Sequence, residues 1–160
     1  LKLVNALSRL SEMHDCHVTW LAFHEHQDSG LLHYLSQEKI VASNLEKRSS
    51  TVTAQSIKQV QQLFSQSKMV IAMRLHALIL AALGGVPTSA LSYDPKVKAA
   101  ADLSGIACTE LSNALSEEEL MHQWTLAMQK PLNGSILEKL KDEAKVHSET
   151  LNVKLQELIN

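Results

Sequence analysis

The chain lacks most of what would staple, anchor or broadly charge it. Its 160 residues include two cysteines, Cys16 and Cys108. That is too few for a disulfide framework, and they lack the CxxC spacing of a zinc or redox site, so they suggest a reducing compartment. No charge of one sign prevails: 15 Lys+Arg stand against 17 Asp+Glu, a net of −2, which gives no broad pull on nucleic acid. No apolar run reaches membrane length. Ala77–Leu83 is wholly apolar, but Arg74 and His76 bound it on one side and Pro87 on the other, well short of the ~18–20 residues of a spanning helix. Leu1 to Asp15 mixes charges into its apolar residues, so it is no signal peptide. No serine sits in a G-x-S-x-G elbow, so a Ser–His–Asp triad is unsupported. There is no internal repeat and no low-complexity segment. The chain opens on Leu1 inside a helical pattern, without an initiator Met, and the expectation is that something upstream is missing.

What is present suits one globular domain over 1–160. Apolar residues make up 45% and charged residues 20%, enough to bury a core without disulfides or metals. Leu3, Leu7, Leu10 and Met13 recur at helical spacing. His17–Phe23 is rich in β-branched and aromatic residues and reads as a strand. His24–Gly30 is a polar loop, Leu31–Leu35 a short helix, Ile40–Ala42 a short strand, and Asn44–Ser50 loop-like. A helix opening near Thr53 carries Ile57, Val60, Leu63 and Phe64 on its buried stripe. Met69–Met73 is a continuous apolar run, as expected of a buried parallel strand. Leu75–Leu83 is a helix apolar nearly all round, ended by Gly84-Gly85. Val86–Leu91 is the next strand, and Asp94-Pro95 starts the next helix with Asp as N-cap and Pro at the first position. Gly105 stops it before a short strand over Ile106–Cys108. Ser116–Glu119 and Ser135–Glu138 fit capping boxes, the second opening a long terminal helix over 135–158. Alternating strands and helices imply an α/β fold, a Rossmann-like parallel sheet with helices on both faces. Ligands bind such sheets at the carboxyl ends of their strands, which directs attention to His24–Gly30, the Met73/Arg74 junction and Ser92–Lys96.

Arg74 and His76 stand at one helix start, and Lys96 falls in the first turn of another. A helix N-terminus carries roughly +0.5 charge, so cations there break a local rule, and such breaks are expected at functional sites. A bound phosphate or carboxylate resolves the conflict through helix N–H groups and cations together. The structural alternative is that Arg74 pairs with a nearby acid and Lys96 is solvated. His76, two positions from Arg74, is either a satisfied structural residue or an acid or base working at neutral pH. Asp94 reads as a helix cap, Tyr93 as a pocket-lining or packing residue, and Gly84-Gly85 as structural.

At these residues the sequence resembles the polysaccharide pyruvyl transferase family, particularly its CsaB-type bacterial members. The resemblance rests on Met69–Pro87, which holds Arg74-Leu75-His76, and on Leu91–Val97, which holds Ser92-Tyr93-Asp94-Pro95-Lys96-Val97. Phe23-His24 with Gln27-Asp28 resembles the family's loop after an upstream strand. The resemblance implies the C-terminal half of a GT-B-like fold, its N-terminal domain absent from this chain. It also implies a reaction, transfer of pyruvate from phosphoenolpyruvate to a sugar of a cell-wall or exported polysaccharide, as a ketal with release of phosphate. No cofactor is expected beyond that donor substrate. The expected partners are phosphoenolpyruvate, a sugar or lipid-linked saccharide, and the missing domain. The expected place is the cytoplasm, with peripheral attachment at the inner membrane face as an option. Arg74, His76 and Lys96 are the implied catalytic residues, and Arg74, Leu75, Ser92, Tyr93, Asp94 and Lys96 the implied substrate-binding ones. Arg74 offers a planar fork for phosphate or carboxylate, Lys96 a point charge, and His76 a general acid or base.

Rival readings stay open at this point. A GT-B nucleotide-sugar glycosyltransferase or epimerase would want an acid for a ribose, and Glu110 and Glu117–Glu119 look instead like helix-start acids. A non-catalytic anion-binding module is the third. His24, His26, Asp28 and His33 could be drawn as a metal site, but they lie in or beside a loop with no cysteine, so no metal is expected. Lys139, Lys141, Lys145 and Lys154 read as a solvated face, and Trp124 with Leu120 and Met128 as core.

Overall fold

The computed structural model describes residues 1–23, 30–111 and 116–130, with Glu138, Asp142 and Lys145 as single helical positions. In chain order its elements are α1 (Lys2–Met13), β1 (Val18–Ala22), α2 (Leu31–Gln37), α3 (Ser43–Lys47), β2 (Ser49–Thr53), α4 (Ile57–Ser65), β3 (Val70–Ala72), α5 (Leu75–Leu83), β4 (Thr88–Ser92), α6 (Pro95–Leu103), β5 (Ala107–Glu110) and α7 (Glu117–Gln129). Every strand pairing is parallel. Parallel neighbours need a crossover between them, and helices supply it here. The fold is therefore α/β and Rossmann-like, as the alternation of patterns implies. The strands divide into a β1–β2 pair and a β3–β4–β5 sheet.

β4 sits at the centre of the larger sheet, and all five of its residues are buried. Its side chains alternate between two cores, as period-two geometry requires. Ala90 joins Val70 and Ala72 of β3 against Val60 and Phe64 of α4, Leu78 and Ala81 of α5, and Val97 and Ala101 of α6. Leu91 faces the other way, toward Ala6 and Leu10 of α1 and Leu120, Met121 and Trp124 of α7. Helices thus cover both faces. α5 buries Ala77, Leu78, Ala81 and Ala82, while Ile79 on its outer side stays exposed. A smaller cluster of Val4, Val41 and Leu45 closes the β1–β2 side.

Local signals explain most boundaries. The Ser56 hydroxyl accepts from the Gln59 N–H and starts α4. Ser116 and Glu119 form the full capping box of α7. After α5 the chain turns at Gly85, where φ is 66°, a conformation glycine adopts without steric cost. Trp124 is fully buried, confirming it as core.

Four expectations need correction. Ile40–Ala42 is not a strand but the approach to α3, with Val41 buried as a plug. Asn44–Ser50 is not a loop: it contains most of α3 and the start of β2. Thr53 ends β2 rather than opening a helix, and α4 begins at Ile57. The strand expected over Val86–Leu91 runs Thr88–Ser92. The His24–Gly30 loop, up to Ser29, and the terminal helix with its Ser135 capping box lie outside the described residues, bar the three single positions.

Candidate functional site

β3 and β4 run in register, Ala72 beside Ala90, so the helices that follow them start at the same edge of the sheet. At the first junction Arg74 is the N-cap of α5, with φ −109° and ψ 140° and no side-chain cap. The first helix bond is Leu78 N–H to the Arg74 carbonyl, at 3.0 Å. Among the described residues no acceptor meets the N–H groups of Leu75, His76 or Ala77. At the second junction the Ser92 hydroxyl donates to the Asp94 carbonyl at 2.7 Å. The Asp94 carboxylate in turn accepts from the Lys96 N–H at 2.8 Å, and Pro95 brings no N–H to satisfy.

The two junctions enclose a cavity of about 300 Å³. Met73, Arg74, Leu75 and His76 line it from the first, Tyr93, Asp94, Lys96 and Val97 from the second, and Phe23 from the end of β1. Of the seven residues singled out in the sequence, six line this cavity. Ser92 does not: it is buried, and its hydroxyl shapes the turn that presents Tyr93 and Asp94. Asp94 is a helix cap, as its position beside Pro95 implies. The cap also changes the argument for Lys96. The α6 start is already answered by a carboxylate of its own, so only the α5 start offers open N–H groups to an anion. Met73 and Val97 were not singled out beforehand. Both flank a residue that was, and their apolar character gave no chemical signal.

Several basic side chains away from this cavity are held by acids. Arg48 Nη1 sits 2.7 Å from Asp15, Arg9 lies within 3.6 Å of both Glu117 and Glu118, and Lys98 Nζ is 2.6 Å from Glu110. The hydrogen bond and the attraction within the last pair hold Lys98 above and Glu110 below their ordinary values. Glu110 is thus the partner of Lys98 on β5, not a helix-start acid. Lys96, two residues before Lys98 and in the cavity wall, has no acidic side-chain partner among the described residues. Three basic side chains therefore converge on one uncapped helix start.

A second cavity, about 310 Å³, is lined by Leu32, His33, Ser36, Glu46, Ser49 and Thr51. It gathers no comparable charge. His24, His26 and Asp28 lie outside the described residues, and among those described no three metal-binding side chains cluster. No described helix is long and apolar enough to cross a membrane.

Searches of curated proteins and of solved structures give no match. The family model of polysaccharide pyruvyl transferase matches residues 2–95, more than half of the chain. That span runs from α1 to the Asp94-Pro95 turn and takes in Arg74-Leu75-His76 and Ser92-Tyr93, with Lys96 one residue beyond it. The protein whose two helix starts meet around Arg74, His76 and Lys96 thus belongs to the polysaccharide pyruvyl transferase family.

Proposed function

We propose that the cavity between α5 and α6 binds phosphoenolpyruvate and that the protein transfers its pyruvate unit to a saccharide as a ketal. The observation that carries this is the convergence of Arg74, His76 and Lys96 on the open start of α5. Phosphoenolpyruvate bears about three negative charges at neutral pH, from a phosphate and a carboxylate. Open helix N–H groups with a bidentate Arg and a Lys point charge suit that pair of anions. The α5 start takes one anionic group together with Arg74, and Lys96 faces it from α6.

The chemistry then balances as two additions. One sugar hydroxyl adds to the enol carbon that carries the phosphate, and the methylene carbon takes a proton to become a methyl group. A second hydroxyl of the same sugar displaces the phosphate from that carbon and closes the ketal. The hydroxyls give up two protons: one replaces the proton delivered to the methylene, the other leaves with inorganic phosphate. His76, exposed at the second position of α5, is the group that gives or takes these protons near neutral pH.

A thermal-shift titration of the full-length protein tests the donor. Phosphoenolpyruvate raises the melting temperature and UDP-glucose does not. The reverse result sinks the reading in favour of a nucleotide-sugar enzyme. His76→Ala lowers transfer by roughly 10²- to 10⁴-fold, the span of lost acid–base catalysis, and leaves the melting temperature of the free protein unchanged. Normal turnover in that variant removes His76 from the chemistry.

A further inference from the structure

Not all of the cavity wall suits an anion. Tyr93 sits at its mouth with 68% of its surface exposed, and Met73 beside it is 39% exposed. Phe23 belongs to the same wall and packs on the core, whereas Tyr93 belongs to none of the core clusters. Its hydroxyl makes no hydrogen bond among the described residues. A large aromatic held in water at a cavity mouth marks an interaction surface more than a packing residue. The turn that presents it is nonetheless fixed. The Ser92 hydroxyl ties to the Asp94 carbonyl, and the Asp94 carboxylate ties to the Lys96 N–H. The ring is thus carried on a locked turn, so little backbone order is lost when something stacks on it.

The cationic floor takes up the donor's charged groups, and phosphoenolpyruvate has no apolar face to offer a ring. A pyranose does: its axial C–H groups form an apolar face on an otherwise polar molecule, and aromatic rings bind such faces while hydroxyls stay in water. We infer that Tyr93 is the platform on which the acceptor saccharide stacks, apolar face to ring, next to the donor held on the α5 start. This rests on the reading of the cavity as the donor site. It makes Tyr93 a specificity residue for the shape of the sugar face, with Met73 extending the same apolar rim.

Saturation-transfer NMR on the full-length protein, with phosphoenolpyruvate present, tests it. The probes are the methyl β-glycosides of glucose, galactose and mannose, which differ in the pattern of axial C–H groups on the ring faces. At least one of them receives saturation, concentrated on the C–H protons of a single ring face. Tyr93→Ala weakens that binding about tenfold, and Tyr93→Phe keeps it. Three results overturn the inference: no transfer to any of the three glycosides, transfer unchanged in Tyr93→Ala, or saturation of the uracil protons of UDP in preference to every sugar. The donor is read separately, by the thermal shift with phosphoenolpyruvate alone. Loss of that shift with retained Tyr93-dependent sugar binding defeats the donor reading and leaves the platform standing. The opposite pattern defeats the platform alone.

Discussion

The α5 and α6 starts face each other across one cavity, twenty residues apart in sequence, and they settle their first-turn N–H groups in opposite ways. At α6 the chain supplies its own anion: Asp94 caps Lys96, and Pro95 removes one donor. At α5 the cap position holds Arg74, a cation, and no side chain caps the helix. An N-cap carboxylate or hydroxyl is worth about 1 kcal/mol, so α5 forgoes stability that α6 keeps. On the proposed reading, the ligand itself brings the negative charge that this helix start lacks. The α4 and α7 starts, away from the cavity, are capped by Ser56 and Ser116, whereas α1, α2 and α3 have no side-chain cap either, so what sets α5 apart is the basic residues lining the cavity at its start.

The sharpest way to break the contrast is to make α5 like α6. Arg74→Asp places a carboxylate at the open start, where it caps the first turn and repels the donor. Phosphoenolpyruvate should cease to shift the melting temperature, and transfer should fall by roughly 10³-fold, the scale of a lost charge-stabilising donor. The free protein should gain about 1 kcal/mol in urea denaturation from the new cap. A variant that still responds to phosphoenolpyruvate shows that the α5 start is not the anion site.

The converse change opens α6. Asp94→Ala removes the cap and should cost about 1 kcal/mol of stability, read as a lower urea midpoint with unchanged slope. An unchanged midpoint means the Asp94 contact contributes nothing and the two starts are alike.

The smallest effect sharpens the comparison with a start away from the cavity. At α7 the Glu119 carboxylate accepts from the Ser116 N–H and hydroxyl, which holds its pKa below the ordinary carboxylate value. A depressed folded-state pKa contributes stability above the unfolded value and loses it as pH falls through the folded one. Glu119→Gln should therefore flatten the loss of stability as pH falls through and below the ordinary carboxylate range and leave the phosphoenolpyruvate response untouched. A loss as steep as in the unaltered protein shows that the capping box does not titrate with folding.

How much of this was legible in the sequence depended on whether a residue's role was local. Leu75–Leu83 could be bounded from its apolar run and the Gly84-Gly85 stop, and Asp94 and Ser116 could be read as caps because a cap is a matter of a few neighbouring residues. β2 could not. Ser49–Thr53 is Ser-Ser-Thr-Val-Thr, polar because it pairs on one side with β1 alone and stays half open to solvent. Only the long-range pairing makes it a strand. α3 has five residues, too short to show a period. Ile40 and Val41 carry β-branched side chains for a different reason, to fill the space against Val4 and Leu45. At the site, the basic residues were visible as misplaced charges on helix starts. That one start was already capped and the other open depended on where a side chain points, which no spacing reveals.

Between Arg74 and Lys96 the chain runs out along α5, turns at Gly84–Val86 and returns along β4, yet none of that length fixes the gap across the cavity. The ladder fixes it: Val70 beside Thr88, Ile71 beside Ser89 and Ala72 beside Ala90, with a short step beyond each strand to its helix. A slip of one residue would carry Ala90 to the Trp124 side and Leu91 to the α5 side, and would move Tyr93 and Lys96 with them. An added residue at the far turn would lengthen only a loop. The far turn, though held by Gly85 and the buried Val86, does not set this spacing, while at the cavity edge the alignment of two short strands acts as the gauge block against which the whole site is set.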